Sequence, residues 1–195
     1  MFRRLVVAFA AVVLSSVSLQ AQITVYNTNL AFLGAVGPVT IEDFTSDYHF
    51  DLGSTLNSLS AYTPGSGTPI APGDIKAGVT YSVSGGPLVI DAGGNFTGGF
   101  LDGLYNRNTV GPLTATFAGP VSGFGFLTNQ LMGTFFDITI NYVGGSYTNQ
   151  IALSTGNQFF GFVSGAQNIT SVVIGGDSQV FNFALDDFTF SAVEY

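Results

Sequence analysis

The chain has 195 residues, of which 46% are hydrophobic and only 8% are charged, and its formal net charge is −8. This length suits one β-sandwich domain, and the large apolar fraction excludes disorder through high charge and low hydrophobicity. The negative surface repels phosphate backbones and anionic membranes, so the composition argues against nucleic-acid binding. The chain has no cysteine, which excludes thiolate catalysis and cysteine-based metal sites.

The first 21 residues, Met1–Ala21, have the layout of a secretory signal peptide. Arg3 and Arg4 give a positive start, an apolar run follows, and Ala21 is a small residue suited to cleavage. An uncleaved anchor is the alternative interpretation, although the apolar run is short for a membrane span. We therefore expect residues 22–195 to form one exported domain with no stable membrane span after cleavage.

In chain order, the first predicted element is a helical turn over Asn29–Gly34, capped by Asn29 and ended by Gly34. Alternation of apolar and polar residues, with β-branched and aromatic enrichment, then predicts strands separated by turn residues. These strands are Val39–Phe44, Ala77–Ser84, Leu88–Asp91, Leu113–Phe117, Ser122–Leu127, Thr134–Val143, Ser146–Leu153, Phe159–Ser164, Ile169–Ile174 and Val180–Phe190.

Three neighbouring pairs are predicted from the intervening turns: Ala77–Ser84 with Leu88–Asp91, Leu113–Phe117 with Ser122–Leu127, and Thr134–Val143 with Ser146–Leu153. Two long loops are predicted where periodicity is lost, over Thr45–Asp74 and Asp91–Asn108. The whole pattern predicts an all-β fold, an antiparallel, jelly-roll-like β-sandwich of about ten strands with little helix.

Several segments carry a resemblance to a known family: Phe32-Leu33, Ile41–Phe44, Gly78–Ser82, Leu113–Phe117, Gly123–Phe126, Phe159–Ser164, Ile169–Ile174 and Leu185–Phe188. Their order and spacing resemble the ectodomains of bacterial PEP-CTERM proteins, which an exosortase system attaches to the cell envelope. The resemblance implies a jelly-roll-like sandwich that is secreted or held in the envelope. The family's sorting tail does not appear before Tyr195, so the resemblance implies export and leaves the route of retention open.

Two acidic pairs, Glu42-Asp43 and Asp186-Asp187, lie within apolar strand sequence, where an unpaired carboxylate is costly to bury. Carboxylate oxygens are ligands that calcium prefers. In jelly-roll carbohydrate-binding modules a structural calcium often lies between the N-terminal and C-terminal strands, so the resemblance implies a calcium site where the two pairs meet. The alternative interpretation is that one carboxylate of each pair is solvated and the other accepts hydrogen bonds from backbone or hydroxyl groups.

A second candidate ligand-binding group lies in the predicted loop Asp91–Asn108. Asp91, Asp102 and Asn106 offer oxygen ligands, and Tyr105 offers an aromatic ring for an extracellular polysaccharide. The spacing does not match an EF-hand loop. Ordinary turn chemistry and a tyrosine packed at the rim are the alternative interpretation.

The sequence offers little for catalysis. His49 is the only histidine, which excludes zinc sites built from several histidines, and no Gly-x-Ser-x-Gly elbow is present. We therefore predict a non-enzymatic secreted or envelope-associated protein that is stabilised by calcium and contacts extracellular polysaccharide. One alternative is a self-assembling subunit of a surface filament or matrix, in which an exposed edge or the free segment Gln22–Asn27 pairs with the next chain's sheet. A glycan-active hydrolase or lyase is the third interpretation.

Overall fold

A computed structural model of the chain describes residues 22–44, 52–63, 67–84, 86–92, 102–106, 111–129, 135–154, 156–176 and 185–192. The predicted signal peptide lies outside these residues. Within the described part of the chain, no helix has the length and hydropathy of a membrane span.

The described residues form thirteen β-strands and one α-helix. In chain order these are β1 (Ile23–Tyr26), α1 (Asn29–Val36), β2 (Val39–Glu42), β3 (Thr55–Asn57), β4 (Val79–Val83), β5 (Leu88–Ala92), β6 (Asp102–Asn106), β7 (Leu113–Val121), β8 (Gly123–Asn129), β9 (Phe135–Tyr142), β10 (Gly145–Ala152), β11 (Asn157–Ser164), β12 (Ile169–Gly176) and β13 (Asp186–Ser191). Every strand pairing is antiparallel. The predicted all-β class and antiparallel sandwich are confirmed.

The strands form two large sheets and one hairpin. The five-stranded sheet has the order β1-β11-β8-β13-β2, the six-stranded sheet has the order β10-β9-β12-β7-β4-β3, and β5 pairs with β6. Aromatic rings join the two sheets: Phe188 of β13 lies 5.4 Å from Tyr81 of β4, and Phe136 of β9 lies 5.5 Å from Phe160 of β11, between ring centroids. Because each buried aromatic ring removes about 150–250 Å² from water, this layer is the main source of cohesion between the sheets.

Glycines line the outer side of the five-stranded sheet where α1 packs against it. In β11, Phe160 and Phe162 belong to the buried core, and Gly161 between them faces the opposite side. A Cβ on Gly161 would lie 2.6 Å from the ring of Phe32, the one buried residue of α1. In this Phe-Gly-Phe pattern the two rings therefore point into the core, and the glycine leaves space for the helix on the outer side of the sheet.

The helix is longer than the predicted turn. It runs through Gly34 to Val36 and ends at Gly37, which has a φ of 74° and whose N–H donates to the Leu33 carbonyl. Thr28 rather than Asn29 holds the N-cap position. Glycine is tolerated inside this short helix because Phe32 anchors it against β11 by tertiary packing.

Two predicted strand pairings were wrong. β4 pairs with β3 and β7, whereas Leu88–Ala92 pairs with β6. β7 and β8 lie in different sheets, because the chain crosses from one sheet to the other at Ser122 rather than turning back. The predicted pair of Thr134–Val143 with Ser146–Leu153 is confirmed as the β9–β10 hairpin.

The predicted loops also contain strands. Thr45–Asp74 includes β3, and Asp91–Asn108 includes β6 together with the end of β5. Each of the two missed strands is short, but each buries a leucine completely, Leu56 in β3 and Leu104 in β6. Burial against the core therefore outweighs the low intrinsic β-propensity of the flanking Gly, Asn and Asp residues. Within these predicted loops, residues 45–51, 64–66, 93–101 and 107–108 lie outside the described residues.

Candidate functional site

The two acidic pairs meet at the same end of neighbouring strands. β2 and β13 pair directly, with Glu42 opposite Phe188 and Ile41 opposite Thr189. The register of β13 against β8 shifts between Asp186 and Thr189, and Asp187 within this β-bulge has a φ of 47°. The sequence-based expectation that these pairs come together is therefore met by the topology.

Glu42 is buried and fully hydrogen-bonded. Only 1% of its surface is exposed, and its register partner Phe188 is a core residue, so its side chain enters the sandwich. Oε1 accepts a hydrogen bond from the Phe44 N–H at 3.1 Å, and Oε2 accepts one from the Lys76 N–H at 2.6 Å. Burial raises the pKa of Glu42, while these two hydrogen bonds and the Lys76 charge oppose the increase. Glu42 therefore matches the alternative interpretation, in which one carboxylate of the pair accepts hydrogen bonds from backbone groups.

Asp187 is half-buried, and its charge is unfavourable for two reasons. Burial raises its pKa first, and the negative charge of Asp43 raises it further. Asp186 Oδ1 accepts the Asp187 N–H at 2.7 Å, which fixes the turn of the bulge. Among the described residues, no group of three or more His, Cys, Asp or Glu side chains could hold a metal ion. Calcium binding stays a prediction.

Tyr81 completes the surroundings of Glu42, a position that the sequence pattern did not predict. Its ring is fully buried between Phe44 and Phe188, each at 5.4 Å between centroids. Burial and the Glu42 charge raise the pKa of Tyr81 well above its ordinary value of 10.0, so the hydroxyl stays protonated. Alternation in Val79–Val83 marks Tyr81 as inward-facing, but no sequence signal links it to Glu42.

The second predicted group lies on the β5–β6 hairpin. Asp91 is opposite Gly103, Asp102 is opposite Ala92, and Asn106 is opposite Leu88. Asp102 and Asn106 therefore lie at opposite ends of β6, about 13 Å apart along the strand. Tyr105 lies between them, opposite Val89. The backbone places Asp91 near Asp102 but away from Asn106, and a ligand-binding role for this group stays a prediction.

The outer side of the six-stranded sheet carries a set of residues that we call the polar face. Strand register joins them into two rows that cross all six strands. The first row is Ser146, Asn141, Ser171, Thr116, Thr80 and Asn57, and the second is Thr148, Thr139, Val173, Thr114, Ser82 and Thr55.

The polar face is neutral, and none of its residues is buried. All of them except Val173 are Ser, Thr or Asn. The six strands together hold one charged residue, Asp137, which lies one row further along and accepts the Gln150 amide at 3.0 Å. In a chain with 12 acidic residues, an uncharged surface of this width is a distinct feature.

Hydrogen bonds connect neighbouring side chains of the polar face. The Asn141 amide donates to Ser171 Oγ at 3.0 Å, and the hydroxyls of Thr139 and Thr148 lie 3.2 Å apart. With about 4.8 Å between strands, each row spans about 24 Å. The alternation of Thr and Ser with apolar residues in β4 and β7 is the sequence signal that could have revealed this surface.

No protein-family model, curated protein or solved structure matches the chain. The resemblance to PEP-CTERM ectodomains accordingly stays a prediction.

Glu42→Ala should destabilise the protein by about 3 kcal/mol, because two backbone N–H groups lose a charged acceptor and each such loss costs about 1–3 kcal/mol. Asp74→Ala is the matched control, since Asp74 Oδ2 accepts a single exposed N–H, that of Ala71, at 2.7 Å. The control should cost less than about 1 kcal/mol. Urea unfolding at neutral pH measures both values, and equal losses would contradict the assigned role of Glu42.

Asp187→Asn should change how stability depends on pH. The Asp187 carboxyl binds its proton more tightly in the folded protein than in the unfolded chain, whose ordinary pKa is 3.8. The free energy of unfolding therefore falls as pH rises from that value through the raised folded pKa, and then levels off.

Asparagine has no carboxyl group to titrate, so it removes the pH-dependent loss of stability caused by Asp187, and it tolerates the left-handed backbone at this position. The variant should show a smaller decrease and be more stable at neutral pH, by less than about 1 kcal/mol because solvent screens a half-buried group. Urea unfolding between about pH 3 and pH 7 tests this, and parallel curves for the two proteins would reject it.

Proposed function

We propose that the chain is a non-enzymatic, secreted or envelope-associated protein that binds a neutral extracellular polysaccharide through the polar face. The observation that supports this proposal is the wide array of hydroxyl and amide groups, free of charge, on the outer side of the six-stranded sheet.

The chemistry of the array matches that of a sugar polymer. A hydroxyl donates one hydrogen bond and accepts others, and the Asn amides do both, so the polar face can exchange hydrogen bonds with a polyol in many registers. Threonine is stiff at χ1, which lowers the entropy lost when such a side chain is fixed by a ligand. A row of about 24 Å is long enough to contact several consecutive sugar units.

The charge of the chain narrows the class of polysaccharide. A net charge of −8 repels carboxylated and phosphorylated polymers over the whole molecule, while the polar face itself offers no cation to attract them. A neutral polysaccharide is not repelled by the net charge and needs no cation on the polar face to bind. Tyr105 on β6 remains a candidate for stacking on a sugar ring outside the polar face.

The double variant Thr80→Val, Thr116→Val should bind neutral polysaccharide about tenfold more weakly than the parent. These two residues are register partners in the middle of the polar face, and valine keeps their shape while removing both hydroxyls. Loss of two hydrogen bonds of about 0.5–1.5 kcal/mol each corresponds to this factor.

Affinity electrophoresis in gels containing a neutral glucan, a neutral mannan, anionic alginate or cationic chitosan measures the effect. Thr24→Val, an exposed threonine on β1 of the other sheet, is the matched control and should bind as the parent does. Retardation by chitosan alone, unchanged in the double variant, would contradict the proposal because it would report charge attraction only.

Calcium stabilisation forms part of the same proposal, with Asp43 and Asp187 as the predicted ligands because the Asp43 charge acts on Asp187. Both Glu42 oxygens already accept backbone hydrogen bonds, so the repelling pair Asp43 and Asp187 is the better place for a cation. Millimolar calcium should raise the Tm by a few degrees, since ligand binding to the folded state alone stabilises it. The increase should disappear in Asp187→Ala, and an unchanged Tm in the parent would reject the calcium prediction.

A further inference from the structure

The six-stranded sheet ends in a strand that is much longer than the other sheet edges. β10 has eight residues, whereas the other terminal strands have three to five: three in β3, four in β1 and β2, and five in β5 and β6 of the two-stranded sheet. β10 pairs with β9 on one side, and it is the last strand of the sheet as far as the described residues extend.

One hydrogen bond shows which backbone groups of β10 point away from β9. The Gln150 N–H donates to the side-chain Oδ1 of its neighbour Asn149 at 2.9 Å, so this N–H lies on the outer edge. Alternate residues of a strand direct their N–H and C=O groups to the same side. Ser146 and Thr148 therefore also present their backbone groups at the outer edge.

β10 lacks the features that usually protect an edge strand. Natural edges are shortened, charged, interrupted by proline or bent by a bulge, and these features prevent pairing with another chain. The sequence GSYTNQIA contains neither a charged residue nor proline, and its register with β9 is continuous over all eight residues. The other edges of the two large sheets are protected by their shortness, so among the described strands of these sheets β10 is the edge open to a partner strand.

We propose that β10 pairs antiparallel with β10 of a second copy of this chain about a two-fold axis, which joins the two six-stranded sheets into one. A two-fold interface requires a strand that complements itself. β10 meets this requirement, because a two-fold near Thr148 places the small polar Ser146 opposite Gln150 and the larger Tyr147 opposite Asn149. No charge is brought near its own copy by this pairing.

The pairing also limits the assembly to two copies. Once both β10 strands are used, the edges that remain in the described part of each copy have three to five residues. β1 occupies an edge of its own sheet, paired with β11 through Ile23 to Tyr26, so the segment expected to join a neighbouring chain is already used within this one. These edges therefore favour a closed dimer over a filament.

The dimer would double the polar face. Residues that pair across antiparallel strands point to the same side of the sheet, so Thr148 and its neighbours from both copies would face one polymer. This consequence rests on the proposed function, whereas the dimer itself rests on the edge of β10 alone. Two linked faces would bind one polysaccharide chain with higher avidity than either face.

Sedimentation equilibrium of the purified protein, over a wide concentration range at low and high salt, tests the proposal. We expect a monomer–dimer equilibrium that shifts toward the dimer as salt rises, because each copy carries a net charge of −8 and salt screens the repulsion. A monomer under all conditions, or large polymers, would overturn the proposal.

Substitutions at one position then separate backbone pairing from side-chain effects. Thr148→Pro removes an outward N–H and should weaken dimerisation at least tenfold, whereas Thr148→Ala keeps that N–H and should dimerise as the parent does. Thr148→Lys should also weaken the dimer by placing like charges across the axis. Its matched control is Thr139→Lys, which carries the same charge on the register partner one strand inward. If Thr148→Pro does not fold, the Lys variants provide the test. A dimer as stable as that of the parent, in a folded Thr148→Pro variant or in Thr148→Lys, would overturn the proposal.

Polysaccharide binding measured on the same parent samples distinguishes the two proposals. A dimer that binds no polysaccharide would overturn the proposed function only. A monomer that binds polysaccharide would overturn the dimer only.

Discussion

Phe188 is the contact point on which the packing of the two sheets depends. Its ring lies within about 6.4 Å of the rings of Tyr81 and Phe117 in one sheet and of Phe124 and Phe126 in its own. Because side chains alternate along a strand, fixing these rings inward also fixes which residues face outward. A slip of one residue would exchange the two sets, so the aromatic layer determines the surface as well as the core.

The same constraint produces two different outer surfaces. On the five-stranded sheet the outward positions of β8 and β11 include glycines, and α1 covers them. On the six-stranded sheet most outward positions are Ser, Thr and Asn, and among the described elements no helix packs on them. Glu42 is the exception to the inward pattern, a carboxylate on the core side of β2. Its two backbone hydrogen bonds offset part of the free energy lost by burying it.

The sequence predicted the features that depend on local pattern. The all-β class, the β9–β10 hairpin and the inward Phe residues follow from alternation, and the meeting of β2 with β13 was expected from family resemblance rather than from the residues. Features decided by distant contacts were missed: β3 and β6 form because Leu56 and Leu104 reach the core, and β7 and β8 separate because the chain changes sheets at Ser122. The polar face could not be recognised without register, since its rows join residues from six separate strands.

The place of β13 in its sheet has a consequence for how the protein reaches this state. The last described strand is not an edge but lies between β8 and β2, and it joins residues near the two ends of the described chain. The long stretch of chain between β2 and β13 must close into a loop before these two strands can pair. The conformational entropy lost on closing this loop slows folding. Until β13 docks, β8 and β2 each lack a neighbour and the rings around Tyr81 and Phe124 are uncovered. Assembly of the sandwich therefore waits for β13, and the interval before β13 docks is when the chain is most exposed to mispairing.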